Sequence, residues 1–310
     1  MKRHLTSPLI FWLFLSLVFT TCTLWWLAGC ATVAKVATDT AQATGKIDQE
    51  QADSIHRGID AVDMTFRDIT PEQEYYIGRA VTARLFTSYR VYDPVRTNAY
   101  LNELGQTLAM ASDRPETFGG YHFQLIETDE INAFAAPGGL ILVSTGMLDL
   151  CQTEDELAAV LAHEIGHVVG KHGLRSIKNS RLTSALTILA TESARNFGGE
   201  DLKQLVEDFE GSIDDVATTL MVKGYSRGLE EEADRIAIAI LQRVGYDPKA
   251  LPGMLAEMQK RLRVGGPGFA RTHPAPKDRI AAISPALAGL PDLTEPEARH
   301  QRFAAATAAP

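Results

Sequence analysis

The chain has 310 residues, 45% hydrophobic and 22% charged, enough for one large domain or two small ones. Its net charge of −9 argues against a nucleic-acid partner, which calls for a basic face. Its three cysteines, Cys22, Cys30 and Cys151, do not make a disulfide framework.

The first thirty residues, "MKRHLTSPLIFWLFLSLVFTTCTLWWLAGC", stand apart. Lys2 and Arg3 precede an apolar run from Leu9 to Leu27, and residues 1–29 read as a secretory signal. Leu27-Ala28-Gly29-Cys30 matches a bacterial lipobox, where Cys30 takes a lipid and the preceding peptide is removed. The alternative is an uncleaved helix, since about 20 apolar residues span a bilayer. Both place the remainder outside the cytoplasm, tethered to a membrane. Ala31 is not the aspartate associated with inner-membrane retention, so the outer membrane is favoured. Cys151 is then unpaired and reads as a small buried apolar residue.

Residues 30–70 read as a tether with a helix at 46–66. "PEQEYYIGRAVTARLFTSYR" (71–90) and "VRTNAYLNELGQTLAMAS" (95–112) have helix starts and apolar spacings of three and four. "YHFQLIET" (121–128) alternates as a strand does, and "NAFAAPGG" (132–139) and "LILVSTG" (140–146) are short strands ending in turns. "TEDE" (153–156) opens a helix, with Thr153 as cap and Glu156 as the capping-box acid. That helix is expected to continue to about 178. Residues 182–223 read as helical with a break at "FGGED" (197–201), and 226–245 and 248–262 as further helices. "GGPG" (265–268) reads as a loop before "RTHPAPKDRIAAI" (271–283), and 289–310 as a flexible tail.

The chemistry centres on "AHEIGHVVGKH" (162–172). His163 and His167 are one helical turn apart on one face. Glu164 lies about 100° round the helix, where it cannot share the ion but can reach water beside it. This is H-E-x-x-H: two zinc ligands and a general base. Leu161, Ile165 and Val168 face the core, and Ala162 and Gly166 are small. His172, half a turn off the ligand face, reads as a surface histidine. A catalytic zinc takes a third protein ligand. In "EEEAD" (230–234), Glu230 and Asp234 share a face. Glu230 is the candidate ligand, and Asp234 can accept a hydrogen bond from His163 and fix its tautomer. The plain alternative is an acidic first turn that complements the helix dipole, with Glu231 paired to Arg235. It leaves Asp234, within an otherwise apolar helix, unexplained.

Taken together, "NAFAAPGGLILVSTGML" (132–148), "ELAAVLAHEIGHVVGKH" (156–172), "YSRGLEEEADRIA" (225–237) and "THPAPKDRI" (272–280) resemble the HtpX/BepA-like zinc metalloendopeptidases, the CAAX-prenyl-protease type, and their bacterial lipoprotein members. The resemblance covers roughly 71–285 and implies an α+β, mostly helical zincin (gluzincin-like) domain over 71–288. A small β-sheet and an H-E-x-x-H helix belong to it, with one Zn2+ per chain. It implies His163, His167 and Glu230 as ligands and Glu164 as base. His273 would sit on the open side of the metal, ligating it at rest or stabilising the transition state. Arg279 would help bind the oxyanion. Asn132, Ala133, Phe134 and Ala135, with Ala136, would form an exposed edge strand that pairs with extended or unfolded polypeptide. Integral-membrane relatives carry several spanning helices, whereas no run after residue 30 here is long enough, so a prenylated substrate is not expected. No C-terminal helical-repeat domain is expected either. The expected function is endopeptidase quality control of misfolded or misassembled envelope proteins, on the periplasmic side. The alternative is a chaperone-like binding protein whose zinc site does not cut. A cell-wall amidase lacks a wall-binding segment. Oligomeric state is not legible in the sequence.

Overall fold

The computed structural model describes residues 69–177, 210–261 and 269–308. The expected signal, Cys30, the tether, the 46–66 helix and the 197–201 break lie outside those residues. So does most of 176–224 and of the loop 264–272.

Helix α1 (Pro71–Leu85) starts at a reciprocal capping box: Gln73 N donates to Thr70 Oγ1 and Thr70 N donates to Gln73 Oε1. Strand β1 (Arg90–Tyr92) is too short to leave an alternating pattern. Helix α2 (Val95–Met110) buries Leu101, Leu104 and Leu108, one apolar stripe. Strands β2 (His122–Glu127), β3 (Ala133–Ala136) and β4 (Leu140–Ser144) follow. The sheet order is β1-β2-β4-β3, with β2 and β4 parallel and the other pairs antiparallel. Ser144 caps the short α3 (Thr145–Leu150) by accepting from Met147 N.

Helix α4 (Glu154–Val169) carries the H-E-x-x-H residues. Glu156 N donates to Thr153 Oγ1, and the Glu156 carboxylate reaches back to Gln152 N instead of Thr153 N. The helix was expected to run to about 178 but stops at Val169. Lys171 takes φ +52, in the left-handed region, and a four-residue helix α5 (His172–Arg175) starts afresh. Residues 210–218 are helical and pass into a wide turn, Thr219–Lys223. Helices α6 (Arg227–Val244), α7 (Ala250–Arg261), α8 (Phe269–Thr272), α9 (Pro276–Leu287) and α10 (Glu297–Thr307) complete the described chain.

Helix α4 is the centre of the fold, packed by α2, α6, α7 and β3. Every residue from Leu157 to Val168 is buried, as in a helix with neighbours on every side. Its closest neighbour is α6. A Cβ on Gly166 would lie 2.8 Å from Ala233 O and 3.0 Å from Ala233 Cα. The two backbones meet there, so the side chains three residues before Ala233 and one after reach the His163 face.

Half of the flexible tail expected over 289–310 is instead helix α10, and two cations explain it. Arg302 Nη2 donates to Glu154 Oε1 at 2.5 Å, and Arg299 Nη1 donates to Asp155 Oδ1 at 3.1 Å. Phe303 and Ala306 are buried. The helix thereby neutralises the acidic first turn of α4. No helix among the described residues is long and apolar enough to cross a membrane.

Candidate metal centre

His163 and His167 point their Nε2 atoms at one place, 3.1 Å apart. Helix α6 brings in Glu230, fully buried, with Oε2 3.5 Å from His163 Nε2 and Oε1 3.6 Å from His167 Nε2. A tetrahedral ion with bonds near 2.0–2.1 Å has ligand atoms about 3.3 Å apart. The three separations lie close to that value, with one Glu230 oxygen facing each histidine. His273, between α8 and α9, joins them: its Nδ1 lies 2.9 and 2.8 Å from the two Glu230 oxygens. Each of the four residues offers one ligand atom, and all lie within 4.8 Å of one another. Three imidazoles and one carboxylate, with no thiolate, are a donor set that zinc accepts.

The charges around the group are balanced. His163 Nδ1 lies 2.9 Å from Asp234 Oδ1, the contact expected from the i, i+4 spacing. Burial and Arg279 oppose charge on His163, but Asp234 and Glu230 outweigh them and hold the imidazole up at about 9. Burial likewise opposes charge on Glu230, but His273, His163 and His167 hold its carboxyl well below the usual range. Glu164 faces the other way: burial raises it, and the surrounding cations only partly offset that. A carboxylate shifted upward towards neutrality is a better proton acceptor.

Arg279 was expected at an oxyanion. It is instead engaged with Asp234, Nε donating to Oδ2 at 3.0 Å and Nη2 to Oδ1 at 2.5 Å. Its Nη2 also lies 3.1 Å from His163 Nδ1; with the His163 proton given to Asp234, both nitrogens are donors and this is a packing contact. Its buried Nη1 has no hydrogen-bond partner and lies 4.0 Å from Glu230 Oε2. The edge strand also differs from expectation. Strand β3 ends the sheet order, but Ala133, Phe134, Ala135 and Ala136 are all buried, as is Asn132. A narrow pocket beside Glu164 is lined by Ala133, Phe134, Leu220, Tyr225 and His273. The turn after residue 218 thus lies over both β3 and the centre.

Three residues escaped the sequence reading. His172, taken for a surface histidine, is 0% exposed, and its Nδ1 lies 2.8 Å from His167 Nδ1. Had α4 continued, His172 would face away; the left-handed turn at Lys171 folds it back. Gly170 before Lys171 is the helix-stop signal that could have shown it. Tyr225 stacks on His167 with ring centroids 4.4 Å apart. Glu232, read as part of an acidic first turn, accepts from Arg175 Nη1 at 2.9 Å and lies 3.5 Å from His172 Nε2.

Comparison with known proteins places this arrangement. Residues 95–286 match the model of peptidase family M48. The beta-barrel assembly-enhancing protease of Yersinia pestis is 34% identical over 200 residues, 62% of this chain and 39% of that protein. The protein of the same name from Escherichia coli K12 is 32% identical over 193 residues, with the same coverage. The mitochondrial metalloendopeptidase OMA1 of Schizosaccharomyces pombe is 32% identical over 166 residues, 53% of this chain and 45% of that protein. The chain therefore spans about two fifths of the length of the curated relatives it matches. A family match over more than half its length, spanning a cluster of three histidines and a glutamate, shows that this chain belongs to peptidase family M48.

Proposed function

We propose that this chain is a zinc-dependent endopeptidase. It hydrolyses peptide bonds in extended or unfolded polypeptides of the bacterial cell envelope, and acts in their quality control. The observation that carries the reading is Glu164, buried on α4 beside a ligand group whose spacings fit zinc. A purely structural site has no need of a general base.

His163, His167 and Glu230 would hold the zinc, with His273 as fourth ligand in the described arrangement. When bound, zinc supplies a Lewis acid that polarises the scissile carbonyl and acidifies water. Glu164 takes a proton from the attacking water as its oxygen bonds to the carbonyl carbon. It returns that proton to the amine nitrogen as the C–N bond breaks. The Arg279 Nη1 donor, left over from the Asp234 pair, is the cation that can turn to a developing oxyanion. His273 has to leave the group, and residues 219–225 have to move off β3, before a peptide can lie along that strand. The closed arrangement is thus a resting one.

The site in the cell follows from other features. Lys2, Arg3, the apolar run and Leu27-Ala28-Gly29-Cys30 support export and a lipid anchor at Cys30, on the periplasmic face of the outer membrane. The matched bacterial proteins are named for β-barrel assembly, which supports envelope proteins as substrates.

The deciding experiment is casein cleavage by the purified chain and its Glu164→Gln variant, with bound zinc measured in both. Glu164→Gln is expected to retain zinc and to lose cleavage by about 10²-fold or more. A variant that cuts as fast as wild type would remove Glu164 from the mechanism.

A further inference from the structure

Asp234 orients His163, but the outer nitrogen of His167 meets no carboxylate among the described residues. It meets a second imidazole, with the His172 and His167 Nδ1 atoms 2.8 Å apart and the rings edge to face. One of the two nitrogens has to carry the proton. We propose that His172 is a positioning residue for the metal: its Nδ1 accepts the His167 Nδ1–H, fixes that tautomer, and so leaves the His167 Nε2 lone pair facing the ligand group. The inference rests on the metal-site reading above.

The proton count supports this direction. His167 Nε2 lies 3.1 Å from His163 Nε2 and 3.6 Å from Glu230 Oε1, so a His167 that ligates does so through Nε2. A neutral imidazole has one proton, which then sits on Nδ1. For His172 to accept it, the His172 proton has to sit on Nε2. That atom lies 3.5 Å from Glu232 Oε2. The gap is long for a hydrogen bond and Nε2 makes none, but a carboxylate on that side favours the N–H there. Arg175 holds Glu232 in place at 2.9 Å. Order along the line is therefore Glu232, His172, His167, metal group.

Local backbone leaves the His172 ring one place to be. A Cβ on Gly170 would lie 2.3 Å from His172 Nε2, so the ring occupies space that only glycine leaves. Lys171, φ +52, accepts a conformation that costs an L-residue about 1 kcal/mol, and that turn produces the contact. Tyr225 stacks on the face of His167 and meets the His172 ring edge to face. Ligand histidines in general give their second N–H to an outer partner that sets tautomer and basicity. Here an imidazole, itself biased by Glu232, takes the place that Asp234 holds for His163.

The test uses the full chain, metal-free, titrated with zinc against a chelating dye, as wild type, His172→Asn and His172→Phe. Asn Oδ1 stands where Nδ1 accepts; Phe fills the ring volume without an acceptor. His172→Phe is expected to weaken zinc binding about 10–100-fold, and His172→Asn to stay within about threefold of wild type. Long-range 1H–15N spectra of zinc-loaded wild type are expected to show His167 protonated on Nδ1 and His172 on Nε2, and this readout stands even if the Phe variant does not fold. His172 protonated on Nδ1, or Asn and Phe variants with equal affinity, overturns the inference. Wild type with no zinc affinity overturns the metal-site reading itself, which the variants sharing wild-type affinity would not.

Discussion

Asp234 serves two neighbours with one carboxylate. Oδ1 faces His163 Nδ1, and both oxygens accept from Arg279. All three side chains are buried, so none is interchangeable with a surface pair. Removing Asp234 leaves the Arg279 cation without its partner and His163 without its orienter. Asp234→Ala is therefore expected to cost the metal-free protein about 3–5 kcal/mol and to weaken zinc binding about 10–100-fold. Urea unfolding and chelator competition read the two losses separately; an undiminished urea midpoint would show that Arg279 finds water or another partner once Asp234 is gone. His172 gives a pH signature in the same protein. Burial pushes its imidazole down from the usual 6.5 to about 4, against the pull of Glu232. The unfolded chain then binds this proton at higher pH than the folded one. The stabilisation is fully present above pH 6.5 and is lost as pH falls towards 4. Between pH 7.5 and 4.5, the metal-free His172→Phe protein should therefore lose less stability than wild type.

The contact between α4 and α6 decides whether these residues meet at all. Gly166 is the position where the two backbones touch, and a methyl group there would sit 2.8 Å from Ala233 O. Backbone does not yield as a side chain does, so the helices have to separate. Gly166→Ala is expected to destabilise the fold by about 1–3 kcal/mol. It should also weaken zinc binding, because Glu230 and Asp234 ride on α6 while both histidines ride on α4. Loss of stability with unchanged zinc affinity would mean that the helices slide without opening the ligand group. The same pair of helices shows how far sequence reaches. H-E-x-x-H and the E-x-x-x-D spacing each sit inside one helix, where a fixed rotation per residue puts side chains on a common face, so His163, His167, Glu230 and Asp234 were legible. Those relations fail wherever the rotation is interrupted. His172 lies beyond the left-handed Lys171, so counting residues from His163 turned it to the wrong side. Arg279 depended on where α9 crosses α6, which periodicity within either helix does not contain.

At the scale of the molecule, the C-terminal helix is part of the frame that holds the site helix. Composition made it a tail, because its Ala- and Glu-rich sequence has few large apolar residues. Its partners are acids some 145 positions earlier, which no local window contains. Glu154, fully buried at the first turn of α4, accepts from Tyr100 Oη at 3.0 Å, Tyr246 Oη at 2.8 Å and Arg302 Nη2 at 2.5 Å. Asp155 accepts from Asp247 N and Arg299 Nη1. The helix N-terminus favours both carboxylates, yet two adjacent desolvated acids repel unless cations face them. Arg302 is half exposed, so its pairing is partly screened by solvent. Arg302→Ala is accordingly expected to cost about 1–2 kcal/mol, within the range for hydrogen bonds to charged groups. Arg302→Ala with Arg299→Ala should cost more than the sum of the singles, because the two guanidiniums relieve one shared repulsion. The candidate ligands His163 and His167 lie more than two turns along α4 from Glu154, so affinity for zinc in the folded Arg302→Ala protein should stay at the wild-type value while its melting temperature falls. If zinc affinity falls with stability, the start of α4 is coupled to its ligands, and α10 positions the centre as well as stabilising the fold.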